Sequence, residues 1–341
     1  SWYKYNGDIG TGENETSVDR ELEEKWANIK LLDGSIFVWI PRYTYKINNT
    51  YQNEHIWIKY SNGTTDDTSD GFKVHPAFTF GSTQLTGIWV AKFEASNNEG
   101  KIQVKPGQVS WASLMPYEMF NKCRAMELEN SAIYGITNAD AIDTHMMKNS
   151  EWGAVSYITE AIRDGVEVTA NNNTDRYAGG SVTLANVYTI NKAQSTTGNA
   201  YGIYDLNGGL GECVASYISN GEGTLTTNGN SLIYSSTKYR DELTGSFNGE
   251  AINAYDQTIL QTEGMALHEI SIFNQDDATL NSFRDYGDMK VFPFGITPFF
   301  IRGSYYTNSV YSGIFAYMNY NGTSHNYVSF RPVISVTTVE Q

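Results

Sequence analysis

Two short stretches have hydrophobic patterns that predict buried β-strands. Residues 35–41 read Ser-Ile-Phe-Val-Trp-Ile-Pro, a continuous apolar run that ends at a proline. Residues 87–93 read Gly-Ile-Trp-Val-Ala-Lys-Phe, with the glycine as the entry turn. Short apolar runs bounded by turn residues are typical of strands in the middle of a sheet. We therefore expect both strands to belong to the core.

Two helices are predicted where apolar positions recur every three or four residues. Ser113 is expected to cap the first helix, whose first turn holds Pro116, because a proline at that point loses no hydrogen bond. The second helix is expected to begin near Asn149, with Glu151 in its first turn. The side chains expected on the two buried faces are Met119, Phe120, Cys123 and Met126, and Trp152, Val155, Tyr157, Ile158 and Ile162.

The chain after residue 165 carries a weaker helical signal. Short runs separated by Asn, Gly, Ser and Thr indicate strands and long loops. The segment at about 218–290 is long and weakly patterned, which predicts an insertion between core elements. A length of 341 residues suggests two domains, although single β-rich domains reach this size. Because no repeat and no linker composition marks a boundary, we interpret residues 1–341 as one domain.

The composition excludes several classes of function. Only 18% of the residues are charged while 40% are hydrophobic, so neutral polar residues dominate, as in a loop-rich, β-leaning globular protein. The net charge of −15 repels phosphate backbones, and no nucleic-acid partner is expected. The sequence has no run of about 18 apolar residues, so no membrane insertion is expected in this segment. The chain begins at Ser1 without a signal peptide, so we expect a fragment of a larger protein.

The cysteines and histidines do not predict a cofactor. Cys123 and Cys213 each lie in an apolar segment, which favours two buried, reduced thiols. The five histidines are scattered, with no pair at metal-ligand spacing. Zinc and iron sites need such spacing, so neither a metal nor another cofactor is predicted.

Residues 303–330 have an unusual composition. They contain six tyrosines and four asparagines but no Lys, Asp, Glu, Leu or Pro. Tyrosine offers a large, stiff, amphipathic contact at low entropic cost, while Ser, Asn and Gly offer adaptable hydrogen bonds, and antibody paratopes use the same residues. Tyr and Asn alternating with apolar residues are also found in an ordinary half-buried strand pair with polar turns. From the residues alone both interpretations stay open.

Several short motifs lie in a fixed order over residues 35–336. They are Phe37-Val38-Trp39-Ile40-Pro41, Val109-Ser110-Trp111, Lys148-Asn149-Ser150-Glu151-Trp152-Gly153-Ala154-Val155, Gly202-Ile203-Tyr204-Asp205-Leu206-Asn207-Gly208-Gly209 followed by Glu212, Ile301-Arg302-Gly303-Ser304, and Ser329-Phe330-Arg331-Pro332-Val333. In this order the motifs resemble those of the formylglycine-generating sulfatase-type family. The resemblance implies an α+β C-type lectin fold of the formylglycine-generating-enzyme type, loop-rich, with two helices against small antiparallel sheets.

A subset of that family is more similar still: the variable proteins of diversity-generating retroelements, especially those of gut Firmicutes and their phages. In such systems an error-prone reverse transcriptase randomises template adenines, so Asn codons become Tyr, Ser, Asp, His or Thr near the C-terminus. The resemblance implies a hypervariable protein on a phage virion or bacterial cell surface that binds an unknown protein or glycan ligand. The segments that carry this resemblance are residues 39–43, 87–96, 145–155 and 195–199.

The resemblance places the variable region at about residues 302–331. Arg302 and Arg331 are interpreted as scaffold residues that hold buried hydrogen bonds, and Ile314, Phe315 and Phe330 as fixed apolar positions. The ligand-binding residues predicted by position are Tyr305, Tyr306, Asn308, Tyr311, Tyr317, Asn319, Tyr320, Ser324, His325 and Tyr327.

No catalytic residue is predicted, and the chain is interpreted as a binding protein and not an enzyme. The sulfatase-activating members of the family need a cysteine pair near the C-terminus, and residues 302–336 contain no cysteine. The related iron enzymes need a histidine cluster, whereas His325 is alone in this segment. Two alternatives stay open: a residual formylglycine-generating-type oxidoreductase, and a fixed carbohydrate-binding lectin.

The motif that contains Asp205 and Glu212 leaves one further choice. We interpret both carboxylates as turn-capping groups with internal hydrogen bonds. Some relatives bind calcium through loops near this region, so a structural calcium at Asp205 is the alternative.

Overall fold

The structure is a computed structural model. It describes residues 26–50, 53–138, 140–181, 184, 187–244, 263–267, 272–274, 279–281, 288–307 and 312–337. The described chain is mixed α+β, with few helices and several small, mainly antiparallel sheets, which confirms the predicted class. None of the helices in these ranges is long and apolar enough to cross a membrane.

The helices in the described ranges are α1 (Pro116–Leu128), α2 (Ser131–Tyr134), α3 (Asn149–Arg163) and α4 (Gly223–Ile233). Helices α1 and α3 are the two that the sequence predicts, and the expected apolar faces are buried except for the half-buried Ile162. Helix α4 is not predicted because its Gly, Thr and Asn residues have low helix propensity. Packing against α1 compensates for that propensity.

The predicted cap of α1 is wrong. Its N-cap is Met115, whose backbone N–H donates to the Glu118 carboxylate at 2.8 Å, and Pro116 is the first helical residue. Ser113 lies outside the helix in the left-handed region, at φ 64°, and its N–H donates to the carbonyl of His325. Ser113 therefore bonds to the C-terminal segment and does not cap the helix.

The strands in the described ranges are two to eight residues long. In chain order they are β1 Asn28–Lys30, β2 Ile36–Pro41, β3 Tyr43–Thr50, β4 Asn53–Tyr60, β5 Lys73–Val74, β6 Thr79–Phe80, β7 Thr83–Gln84, β8 Gly87–Ala91, β9 Ser96–Asn98, β10 Lys101–Gln103, β11 Ile142–Met146, β12 Gly211–Ile218, β13 Asp241–Leu243, β14 Ile272–Asn274, β15 Thr279–Asn281, β16 Phe299–Arg302, β17 Tyr317–Tyr320, β18 Val328–Ser329 and β19 Pro332–Val336.

The first core sheet joins the two ends of the described chain. Its order is β1-β2-β8-β19-β11, and every neighbouring pair is antiparallel. Strands β2 and β8 are the two that the sequence predicts. The C-terminal strand β19 lies between β8 and β11, so the residues that precede it are fixed against the core.

The second core sheet holds both ends of the predicted variable region. Its order is β13-β12-β16-β17, and β18 pairs in parallel with β12. On β12, Glu212 is opposite Arg302 of β16 and opposite Ser329 of β18. All eight residues of β12 are buried. One buried strand, β12, therefore pairs with the strands at both ends of the predicted variable region.

Part of the predicted insertion lies in the core. Residues 265–267 are buried, and Gly264 lies so close to α3 that a Cβ on Gly153 would be 1.9 Å from its carbonyl oxygen. Only glycine fits at position 153 of the helix. The segment at 218–290 thus contributes α4, β13 and these packed residues, in addition to stretches outside the described residues.

Candidate functional site

Three aromatic side chains meet at the surface in the C-terminal segment. The ring centroids of Tyr305 and Tyr327 are 5.4 Å apart, and His325 stacks on Tyr327 at 4.7 Å. Tyr327 is 36% exposed and the other two rings are partly exposed. Partial burial and the Tyr305 hydroxyl raise the pKa of Tyr327, which keeps its phenol protonated. These three residues, the aromatic patch, offer apolar faces together with polar edges.

The other predicted site residues differ in position. Tyr306 follows Tyr305 in sequence and is partly exposed, and Ser324, which directly precedes His325, is exposed. Asn319 is partly exposed on β17. Asn308 and Tyr311 lie outside the described residues. Three residues besides the aromatic patch are therefore accessible to a ligand.

The prediction for Tyr317 and Tyr320 needs correction, because both side chains are buried. Tyr317 is 0% exposed and Tyr320 4% exposed. Strand β17 pairs with β16, which places Tyr317 opposite Arg302 and Tyr320 opposite Phe299. The Tyr320 hydroxyl donates to the carbonyl of Thr323 and fixes the following turn. These tyrosines support the surface from below and do not contact an external ligand.

Helix α3 and Asp288 hold the backbone of residues 314 and 315 in place. The carbonyl of Ile314 accepts hydrogen bonds from the Trp152 indole at 2.7 Å and from the Ser156 hydroxyl at 3.0 Å. The backbone N–H of Phe315 donates to the carboxylate of Asp288 at 3.0 Å. Residues 314 and 315 form these bonds through main-chain atoms, so the anchoring does not depend on which side chains the surface displays.

Arg302 is a buried anchor, as the sequence predicts. Its guanidinium donates to the carbonyls of Ala316, Met265 and Ala266 and to the side chain of Asn149, at 2.9–3.1 Å. Burial lowers the pKa of Arg302 to about 9, so it stays charged at neutral pH. This one side chain of β16 therefore hydrogen-bonds to α3, to the buried residues 265–266 and to the backbone just before β17.

Arg331 is the second predicted anchor, and its hydrogen bonds confirm the role. It forms a two-point ion pair with Glu212 and donates to the carbonyls of Ala91 at 2.7 Å and Tyr204 at 2.9 Å. Both charged side chains are at most 1% exposed. Burial opposes the charge of Arg331, but Glu212 outweighs it and raises the pKa of the guanidinium.

Asp205 has the internal role that the sequence predicts. Its carboxylate accepts from the Asn171 amide at 2.8 Å and from the Gly179 N–H at 2.8 Å and 3.0 Å. The residue sits at φ 64°, a conformation that short polar residues tolerate. Burial is the main cause that raises the pKa of this carboxyl, with Arg331 opposing it.

The two cysteines and the pair of His145 and Glu151 are buried. Cys123 and Cys213 are free and buried, and burial raises the pKa of both thiols. The His145 ring lies 2.7 Å from the Glu151 carboxylate, and both are 0% exposed. Within the described ranges, no three His, Cys, Asp or Glu side chains are grouped to hold a metal ion. These contacts stabilise the interior.

A groove borders the aromatic patch. It has a volume of about 390 Å³, and its walls include Ser113, Trp111 and Arg176. The Ser113 N–H donates to the carbonyl of His325, and the Arg176 guanidinium donates to the carbonyl of Asn326, both at 2.9 Å. The groove and the aromatic patch therefore share one piece of backbone.

Sequence reasoning missed this groove. Trp111 belongs to one of the motifs, but the sequence assigns it no binding role, and Arg176 belongs to no motif. The walls come from residues near 97–113 and from residue 176, which a β-bridge between Val109 and Tyr177 brings together. No local pattern reports a contact between positions so far apart in sequence.

Comparison with known proteins does not identify a family. No family model matches the chain, and no curated protein matches it either.

Proposed function

We propose that this protein is a hypervariable ligand-binding protein of the kind that diversity-generating retroelements produce, on a C-type lectin scaffold of the formylglycine-generating-enzyme type. Its C-terminal surface, centred on the aromatic patch, binds a protein or glycan on a cell or phage surface. The protein is displayed on a phage virion or a bacterial cell and has no enzymatic activity. The motif resemblance and the tyrosine-rich composition support this proposal.

The proposed binding function rests on one structural observation. The aromatic patch is accessible, while the backbone around it is held by buried groups: Trp152 and Ser156 on Ile314, and the ion pair of Arg331 and Glu212. Rigid support lowers the ordering cost of binding, and a surface of Tyr, His and Ser can change its ligand without changing its anchors.

The binding test compares matched tyrosine variants. Tyr305→Ser combined with Tyr327→Ser removes two rings of the aromatic patch. Tyr234→Ser removes a tyrosine that is 71% exposed at the end of α4, outside that patch. The protein and both variants are labelled and applied to a glycan array and to panels of intact bacterial cells. We expect the double variant alone to lose binding. Equal binding by all three proteins would contradict the assigned surface.

The diversification test is genetic. Sequencing the gene and its neighbourhood is expected to show a reverse transcriptase gene and a second copy of the segment that encodes about residues 302–331. The two copies should differ at adenines of the template copy. A neighbourhood without either feature would reject diversification, while the binding test above would still decide the surface.

The oxidoreductase alternative requires a reactive cysteine pair. Both thiols of this chain are buried, with pKa values raised by burial, so the thiolate form that binds copper is disfavoured. Copper titration followed by spectroscopy tests the alternative. Stoichiometric copper binding that is lost in Cys213→Ser would restore it.

A further inference from the structure

The groove beside the aromatic patch has the size and polarity of a small-molecule site. Its volume of about 390 Å³ falls within the range of roughly 300–1,000 Å³ that is usual for such sites. Besides Trp111 and Arg176, its lining includes the side-chain amides of Asn97, Gln103 and Gln108. All five residues lie outside the variable region at about 302–331. The groove is therefore a fixed feature next to a surface that is proposed to vary.

The charge of the groove differs from that of the whole protein. The chain carries a net charge of −15, yet no carboxylate lines the groove among the described residues, and Arg176 contributes a positive charge. The Lys122 ammonium lies 5.5 Å from the centre of the Trp111 ring and donates to the carbonyl of Gly100. A local positive field on an acidic protein favours an anionic ligand group and disfavours this position for a cation.

The guanidinium of Arg176 presents a free edge. Its Nη1 donates to the carbonyl of Asn326, and in the described part of the chain Nε and Nη2 have no hydrogen-bond partner. That edge matches the two oxygens of a carboxylate, and two parallel charged hydrogen bonds are stronger than neutral ones. Arg176 is held at φ 63°, which is uncommon for a long side chain and occurs often at functional positions.

The side-chain amides of Gln103 and Gln108 are weakly engaged within the protein, whereas the Asn97 Oδ1 accepts from the Gly100 N–H at 2.8 Å. Gln103 is only 9% exposed, and its Nε2 reaches the carbonyl of Asn97 and the Oε1 of Gln108 at 3.5 Å, longer than a normal hydrogen bond. Each side-chain amide both donates and accepts, which suits hydroxyl groups. Trp111 is partly exposed and supplies an apolar wall.

We propose that this groove is a fixed binding site for an acidic sugar residue of the uronic-acid class. The carboxylate binds the free edge of Arg176, the hydroxyls bind the amides of Gln103 and Gln108, and the sugar ring lies against Trp111. The site goes beyond the proposed function, because it depends neither on the aromatic patch nor on diversification.

The test measures binding of methyl β-D-glucuronide and methyl β-D-glucoside by NMR titration of the intact chain. We expect the glucuronide to bind with a Kd of about 1 mM and at least about tenfold more tightly than the neutral glucoside. Arg176→Lys retains a donor for Asn326 but loses the two-point edge, so the glucuronide should weaken about tenfold while the glucoside is unchanged. Gln108→Ala, at an exposed position, should weaken both sugars.

Two control variants separate this site from the rest of the surface. Arg163→Lys alters an arginine outside the groove, and Tyr327→Ala alters the aromatic patch; neither should change glucuronide affinity. Equal affinity for both sugars, an unchanged affinity in Arg176→Lys, or no glucuronide binding below about 10 mM would overturn the proposal. Acetate binding as tight as that of the glucuronide would also overturn it, since the site would then recognise any carboxylate.

Discussion

The tyrosines of the C-terminal segment divide into two groups that their sequence context does not distinguish. Tyr317 and Tyr320 are buried on β17, whereas Tyr305 and Tyr327 form part of the accessible aromatic patch. The buried pair is paired with β16, and Arg302 lies 5.7 Å from the Tyr317 ring. The exposed pair lies in irregular chain. The contrast shows that one residue type builds both the support and the surface, and that strand pairing decides which.

The same contrast holds for the polar groups beneath each region. Below β17 and β18 the charged groups are buried: Arg302 donates to backbone carbonyls, and Arg331 pairs with Glu212. In the aromatic patch, Tyr327 is exposed, and Tyr305 and His325 are partly exposed. Fixed electrostatics in the interior and adaptable polar groups outside are what a scaffold with an exchangeable surface requires. The predictions below test that division.

The largest effect is expected from Arg331→Leu. The change leaves Glu212 buried without its partner, beside Asp205 and Glu94, and removing one partner of a buried ion pair costs about 3–5 kcal/mol. The free energy of unfolding, measured by chemical denaturation, should fall by that amount at pH 8. Lys192→Leu, which removes an exposed cation, serves as the control and should cost about 0.5 kcal/mol or less.

The loss in Arg331→Leu should also depend on pH. Burial raises the pKa of Glu94, Asp205 and Glu212 above their values in the unfolded chain, and removing Arg331 raises them further. Stability that rests on protonated carboxyls is present below the unfolded pKa values of 4.5 and 3.8 and is lost as pH rises above them. The destabilisation should therefore be smaller at pH 5 than at pH 8. A loss that does not change with pH would contradict the assigned electrostatics.

The next effect concerns the buried tyrosines. Tyr317→Ala empties a site that is 0% exposed, and truncation of a buried aromatic ring costs about 3 kcal/mol or more. Tyr317→Phe keeps the ring and leaves no large cavity, so it should cost less than about 1.5 kcal/mol. Urea denaturation measures both variants. If Tyr317→Ala changed the free energy of unfolding by less than about 1 kcal/mol, the ring would belong to the surface after all.

The sequence predicts the parts of the fold that depend on local patterns. Helices α1 and α3 and strands β2 and β8 follow from apolar spacing, and the anchoring role of Arg302 and Arg331 follows from the resemblance. The burial of Tyr317 and Tyr320 does not follow, because tyrosine occupies buried and exposed positions alike. Neither does the left-handed conformation of Ser113, which depends on its bond to His325. The groove depends on contacts between distant residues.

A smaller effect on stability but a clear one on binding is expected at Tyr327. The ring is 36% exposed, so Tyr327→Ala should change the free energy of unfolding by less than about 1 kcal/mol. The same change removes the ring that contacts both Tyr305 and His325, and a central aromatic contact contributes about 2 kcal/mol to binding. Affinity for a ligand found on the array or cell panel measures it, with Tyr234→Ala as the exposed control. A large loss of stability would place Tyr327 with the buried pair.

The smallest effect is expected from Tyr305→Phe, which separates the ring from its hydroxyl. The ring keeps its contact with Tyr327, so stability should stay within about 0.5 kcal/mol of the unchanged protein. Ligand affinity should fall by no more than about 1.5 kcal/mol, the usual value of one hydrogen bond, whereas Tyr305→Ala should lose more because the apolar face is gone. Isothermal titration of both variants separates the contribution of the hydroxyl from that of the apolar ring face. If Tyr305→Phe lost as much affinity as Tyr305→Ala, the surface would act through directed hydrogen bonds, and the stacked rings would serve only to hold the hydroxyl in place.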